Sequence, residues 1–247
     1  MNNKNIIFIP VFNNENQIKN VLEDLKQLEQ KNFDTVLFID NNSTDRTLDI
    51  IKKVITDYNF KTHLIKNNEN IGLGGSFKVA INYAINENFD YMFHYHGNNM
   101  NSINDLIKIL KGSKFKDYDF YFGSRFEKDS KVLNYSFLKK FGNLIFNRLY
   151  SFVLKKKISD LGGPINVFKV SNFENKLFEN FSNDLTFQYY ILLYAFSLNK
   201  KISFFPIKVK INHKSNVVPT KHIISIIKIL INYIVKNKKM FEIKQKN

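Results

Sequence analysis

A chain of 247 residues is long enough for one α/β core and short for two, and its 44% apolar and 15% aromatic content suits a packed interior rather than a disordered segment. With 37 Lys and Arg against 22 Asp and Glu the formal net charge is +15, which favours polyanionic partners such as nucleotides or phospholipid surfaces, or else reflects solvated lysines with no partner. The absence of cysteine excludes disulfides, thiolate metal sites and a thiol nucleophile, and is compatible with a reducing compartment.

The amino terminus enters an apolar run at once and lacks the layout of a signal peptide. Ile6 to Ile9 reads as a strand ended by Pro10, and Ile18, Val21, Leu22 and Leu25 recur at helical spacing between Glu15 and Leu28. A second strand, Thr35 to Ile39, closes on Asp40-Asn41-Asn42-Ser43-Thr44-Asp45, where Ser43 or Thr44 can cap a helix carrying Leu48, Ile51, Val54 and Ile55. Thr62 to Ile65 is a third strand, followed by Asn70-Ile71-Gly72-Leu73-Gly74-Gly75 and a helix with Phe77, Ala80, Ile81 and Ala84. The fourth, Tyr91 to Tyr95, opens into the polar loop His96-Gly97-Asn98-Asn99-Met100-Asn101 before a helix from Asp105 to Leu110. Four strand-then-helix units predict an α/β fold, a mostly parallel sheet flanked by helices with right-handed crossovers. Ligands of such sheets sit at the carboxyl ends of the strands, so function is sought first at the loop after Tyr95.

Beyond Tyr118 to Phe122 and Gly123-Ser124-Arg125-Phe126 the rhythm changes. A long helical pattern runs from Ser136 to Leu154 and leads through three lysines to Ser159-Asp160-Leu161-Gly162-Gly163-Pro164. A strand from Ile165 to Val170, a helix from about Leu185 to Leu198 and a strand from Ile202 to Ile211 follow, with Pro206 expected at an edge or bulge. Residues 1–217 are expected to form one domain, and 218–247 a C-terminal amphipathic basic helix with a frayed tail after Lys236. No apolar run reaches the roughly 18 to 20 residues of a spanning helix; the nearest, Ile223 to Val235, is interrupted by Lys228 and Asn232.

Five of these segments, in this order, resemble the family 2 glycosyltransferases of GT-A (Rossmann-like) fold, nearest to the branch of dolichyl- and undecaprenyl-phosphate sugar transferases. They are Ile9-Pro10-Val11-Phe12-Asn13-Asn14-Glu15, Ile39 to Thr47, Asn70 to Gly75, Gly123 to Phe126, and Ile158 to Gly163. The likeness covers roughly residues 4 to 217. It implies an inverting transfer of a sugar from a nucleotide diphosphate sugar to a polyprenyl-phosphate or surface-glycan acceptor. In that reading Pro10, Phe12, Asn14 and Glu15 border the nucleotide, Asp40 or Asn41 accepts from its base, and Gly72 and Gly74 serve a tight turn and close backbone approach. Core packing for Phe12 and a turn or cap role for Asp40 and Asp45 are the plain alternatives.

The fourth-strand loop departs from the family, which carries an Asp-x-Asp sequence followed by Gln where this chain has His96, Gly97 and Asn98 followed by Met100; Asn14 likewise replaces a usual Glu. The resemblance implies Mg or Mn, yet Asn98 is a neutral ligand that holds such ions poorly. Three readings stay open: Asn98 and His96 assist a metal carried by the pyrophosphate, cationic side chains such as Arg125 replace it, or the site binds without turnover as a partner subunit. Arg125 is the preferred phosphate contact and Asp160 the preferred general base or acceptor-positioning carboxylate, with Asp184 second; an ion pair and a turn role are their plain counterparts. His213-Lys214-Ser215 is read as a basic loop closing over the donor, and His94 as a core histidine. The tail helix suits an anionic membrane surface, packing on the domain, or a homo-oligomer. Nucleic-acid binding lacks a recognition motif. The protein is thus expected in the cytoplasm, peripheral on the inner face of a membrane.

Overall fold

The computed structural model describes residues 3–211, 219–236 and 240–241. Its centre is a seven-stranded sheet in the order β3-β2-β1-β4-β7-β5-β8. The strands are β1 (Asn5–Val11), β2 (Thr35–Asp40), β3 (Thr62–Lys66), β4 (Tyr91–Tyr95), β5 (Phe120–Ser124), β7 (Ile165–Lys169) and β8 (Ile202–Pro206). Every pairing is parallel except those of β7, which runs antiparallel between β4 and β5. The expected mostly parallel α/β sheet is therefore the architecture observed.

Alternation along the inner strands explains why both faces are covered. Ile6 and Phe8 of β1, with Leu37 and Ile39 of β2, point into one core, shared with α3 (Gly72–Asn86), α6 (Phe187–Ser197) and α7 (Pro219–Lys236). Ile7, Ile9 and Val11, with Val36 and Phe38, point into the other, against α1 (Glu15–Leu25), α2 (Thr47–Val54) and α4 (Ile103–Lys111). Fully buried aromatics pack across the first core, Phe77 stacked on Phe187 and edge-on to Phe168, each burial contributing about 2 to 3 kcal/mol.

The segment expected as one strand from Ile202 to Ile211 is two. Pro206 closes β8 at the sheet edge, and β9 (Lys208–Lys210) pairs parallel with β6 (Lys131–Leu133), a three-residue strand with too little pattern to read. Between β6 and β7 lies α5 (Phe137–Leu154), which ends on left-handed Lys155. The tail helix α7 buries Ile226, Ile229 and Leu230 in the domain core. Beyond Lys236 only Met240 and Phe241 are described, and Phe241 packs on Phe181 and Tyr194; the expected fraying otherwise falls outside the described residues. Among the described residues no helix is long and apolar enough to cross a membrane.

Candidate functional site

The carboxyl ends of β1, β2 and β4 converge, because these strands are parallel neighbours. Phe12, just past β1, is 42% exposed and so is free to form an apolar wall. The turn behind it is held by side chains rather than by regular pairing: Asn13 is left-handed and its Oδ1 accepts from Thr44 N at 2.9 Å, while Asn14 N donates to Thr47 Oγ1 at 2.7 Å. Glu15 and Asp45 tie β1 to α2 reciprocally. Glu15 N donates to Asp45 Oδ2, and Glu15 Oε2 accepts from Arg46 N, both at 3.0 Å. Burial alone would raise the Asp45 carboxyl, but the hydrogen bonds from Thr47 and Glu15 outweigh it and hold its pKa below the usual range.

Asp40, fully buried at the end of β2, accepts from Ser43 N at 3.2 Å. The Asn41 amide is committed on both sides: its Nδ2 donates to Asn70 Oδ1 at 2.7 Å, and its Oδ1 accepts from Asn67 Nδ2 and Ile71 N, each at 3.0 Å. This amide cluster fixes the start of α3, where Gly72 has φ +75° and a Cβ would lie 2.3 Å from Asn183 O. The close approach at Gly72, and that at Gly74, is thus to the loop 182–183 before α6. Lys78 closes the same loop, donating to the carbonyls of Glu179 and Phe181 and to Asn183 Oδ1.

At the end of β4, His94 is buried and stacks edge-on with His96, ring centroids 4.5 Å apart. Desolvation holds the His94 imidazole well below its ordinary value and pushes His96 down to about 4, so both are neutral near pH 7. His94 Nε2 is buried with no partner among the described residues. Asn98 folds back on its own loop, its Oδ1 accepting from Met100 N at 3.3 Å and its Nδ2 lying 3.2 Å from Met100 Sδ. Residues 96–101 contain no carboxylate, and among the described residues no group of three His, Cys, Asp or Glu comes together that could hold a metal. This donor set does not fit a hard divalent cation held by the protein alone.

The second half of the site lies at the end of β5. Arg125 and Asp160, read separately from the sequence, form one buried ion pair: Nε to Oδ2 and Nη2 to Oδ1, both 2.8 Å, with Arg125 N also on Oδ2 at 2.9 Å. Gly162 N adds a fourth donor at 3.1 Å. A glycine makes the juxtaposition possible, since a Cβ on Gly163 would stand 1.7 Å from Gly123 O. Asn147 of α5 secures the loop from behind, donating to Ser159 O and accepting from Leu161 N. Around the pair stand Phe126 and Tyr135, whose rings lie 5.7 and 5.8 Å from the guanidinium, and Tyr189, whose hydroxyl is 3.3 Å from His222 Nε2 of α7. Burial raises both tyrosine hydroxyls and lowers His222.

Asp184 precedes α6 and accepts from Thr186 N and Oγ1, and its charge opposes the lowering of the His222 pKa by burial. His213, Lys214 and Ser215 lie outside the described residues. Tyr135, Asn147, Tyr189 and His222 escaped the sequence reading; His222, a lone imidazole in an apolar helix, was the one visible signal.

The model of the family described as "Glycosyl transferase family 2" matches residues 6–176. A UDP-N-acetylglucosamine–dolichyl-phosphate N-acetylglucosaminyltransferase of Methanococcus voltae is 26% identical over 149 residues, 56% of this chain and 58% of that protein. The chain thus spans little more than half the length of the curated relatives it matches. Among solved structures, S. aureus TarS 1-349 in complex with UDP-GlcNAc shares the fold with a TM-score of 0.63 at 16% identity, over 95% of this chain and 67% of that one. Glucosyl-3-phosphoglycerate synthase from Mycobacterium tuberculosis, with Mn2+, UDP and glucosyl-3-phosphoglycerate, gives 0.63 at 11% identity, over 98% and 82%. With the family model covering most of its length and its sheet shared with these enzymes, the chain belongs to the family 2 glycosyltransferases.

Proposed function

We propose that this protein transfers a sugar from a nucleotide diphosphate sugar to a lipid-phosphate acceptor of the polyprenyl type, with inversion at the anomeric carbon. One observation carries the choice of acceptor. Asp160 receives four hydrogen bonds, from Arg125 N, Nε and Nη2 and from Gly162 N, which fills the roughly four lone-pair sites of a carboxylate. No site remains on it to take a proton from a substrate hydroxyl. A phosphate oxygen arrives already ionised and needs no base, whereas a glycan hydroxyl does. In this reading the acceptor oxygen attacks the anomeric carbon, that carbon's bond to the diphosphate breaks, and the electron pair leaves on the nucleotide diphosphate. Asp160 fixes Arg125, and Arg125 Nη1, which bonds to nothing among the described residues, contacts a phosphate oxygen.

Phe12 walls the nucleotide, Asn14, Glu15, Asp40 and Asn41 shape the turns that hold that wall, and Pro10, inside β1, accepts from Gly97 N of the loop after β4. The dolichyl-phosphate specificity named for the M. voltae relative supports the acceptor class. Mn2+ accompanies UDP in the M. tuberculosis neighbour, so a metal brought by the pyrophosphate is the form in which Mg or Mn enters this reading. The reaction is placed on the cytoplasmic face of a membrane. A second reading, a sugar-nucleotide-binding partner subunit without turnover, is favoured by the missing carboxylates of residues 96–101 alone.

The test is a thermal-shift screen against UDP-, GDP-, CMP- and dTDP-sugars, each with EDTA and with Mn2+, followed by transfer assays on the donor found. A donor at a hundredfold excess over its Kd stabilises the fold by about 2.7 kcal/mol. Transfer to a short polyprenyl phosphate is expected. Transfer only to a sugar hydroxyl would overturn the acceptor, and donor binding without transfer to either would favour the partner subunit.

A further inference from the structure

Twelve of the sixteen large apolar side chains exposed among the described residues sit on two helices, α5 and α7. On α5 they recur at helical spacing as Phe137, Phe141, Ile145 and Phe152, exposed by 78, 55, 47 and 82%. On α7, Ile227, Ile231 and Ile234 form a comparable stripe beside the buried Ile226, Ile229 and Leu230. Solvent alone does not favour such concentration, and large exposed apolar patches mark binding surfaces.

The charge around the stripes selects the occupant. Neither helix contains an Asp or Glu, while Lys139, Lys140 and Arg148 lie on α5, Lys155 to Lys157 directly follow it, and Lys221, Lys228 and Lys236 lie on α7. Two copies of such a face would set cation against cation. An anionic bilayer offers apolar depth beneath negative headgroups, complementary on both counts.

The two helices also frame the ion pair. Tyr150 Oη of α5 donates to Ile226 O of α7 at 2.9 Å, Asn147 of α5 holds the 159–161 loop, and His222 of α7 meets Tyr189 beside Gly162. We propose that the acid-free apolar faces of α5 and α7 together dock the protein on an anionic lipid bilayer, setting the Arg125 and Asp160 pair at the headgroup level where a lipid phosphate enters. For its purpose the inference rests on the lipid-phosphate reading above. Its own observation, the two basic apolar faces, is separate from the transfer chemistry.

The test is co-sedimentation of the full chain with vesicles of equal parts phosphatidylglycerol and phosphatidylcholine, against phosphatidylcholine alone, with no donor or acceptor present. Binding to the anionic vesicles is expected, weakening as salt rises. The exposed pairs Phe137→Gln with Phe152→Gln, and Ile231→Gln with Ile234→Gln, each lower it on the order of tenfold or more, with an unchanged circular-dichroism melt as the check on folding. Absence of binding, or binding that both pairs leave intact, overturns the proposal. So does a concentration-dependent dimer, seen by light scattering, that both pairs dissolve without altering vesicle binding. Transfer to a short, water-soluble polyprenyl phosphate, assayed without vesicles, reports separately on the acceptor reading.

Discussion

Replacing Asp160 by Asn keeps the side chain's volume and removes its charge, and the structure says what that costs. The Arg125 side chain is 18% exposed and the Asp160 side chain 1%, so the change leaves a guanidinium largely out of water with no counter-charge. The new amide nitrogen also faces N–H donors where an oxygen accepted them. Breaking a buried pair from one side costs about 3 kcal/mol or more, because the remaining charge is uncompensated. With about 2.1 cal/mol/K of unfolding entropy per residue over 247 residues, that lowers the melting midpoint by about 6 °C. The double variant Arg125→Met with Asp160→Asn removes the stranded charge and is expected to regain most of the loss, giving a coupling energy of about 2 kcal/mol. The assay is thermal denaturation of wild type, both single variants and the double, beside transfer to a phosphate acceptor. A midpoint within about 1 °C of wild type for Asp160→Asn would mean that the pair is solvated and Asp160 is free to serve as a base, refuting the argument that the acceptor arrives ionised.

Phe12→Ala is expected to leave the melting midpoint unchanged, since the ring is already exposed, and to weaken donor binding about tenfold in calorimetry; equal affinity would remove Phe12 from the nucleotide wall. Asn98→Asp restores one carboxylate at the end of β4 and is expected to make the donor-induced thermal shift more dependent on Mn2+, while an unchanged metal response would place Asn98 away from the pyrophosphate. His96 gives a pH prediction whose sign follows from burial. Its imidazole titrates at about 4 in the fold and near 6.5 when unfolded, so acid protonates the unfolded chain first. Its contribution is fully present above about pH 6.5 and is lost as pH falls toward about 4. That amounts to ~2 kcal/mol once partial exposure of the ring is allowed for. Urea denaturation of wild type and His96→Gln between pH 7 and 4 checks it, and parallel stability curves would contradict it.

The turns after the first four strands were legible because their determinants are local. Each of the first four strands announces itself by alternation or by an apolar run, and each ends in a turn whose Asn, Asp and Gly residues are needed where they stand: Asn13 and Gly72 both have positive φ. What those turns bind to was less legible. Asn41 looks like a free hydrogen-bonding group in the sequence and proves to be held by Asn67, Asn70 and Ile71, partners about thirty positions away.

The second half of the candidate site depends on a long-range fact that no local pattern carries, the direction of β7. Period-two alternation marks a strand but is the same in either direction, so Ile165 to Val170 could be placed in the sheet without knowing which end met β5. Because β7 runs antiparallel, its first residue pairs with Tyr95 and the segment before it, Ser159 to Pro164, lies at the carboxyl ends of β4 and β5. A parallel β7 would have carried Asp160 to the amino ends of β4 and β5, a strand's length from Arg125. The reversal turns two separate candidates into one ion pair, and Gly163 lets the chain cross Gly123 closely enough to form it. Formation of that pair in turn changes the role proposed for Asp160, from a general base or acceptor-positioning carboxylate to the anchor of a cation proposed to meet a phosphate.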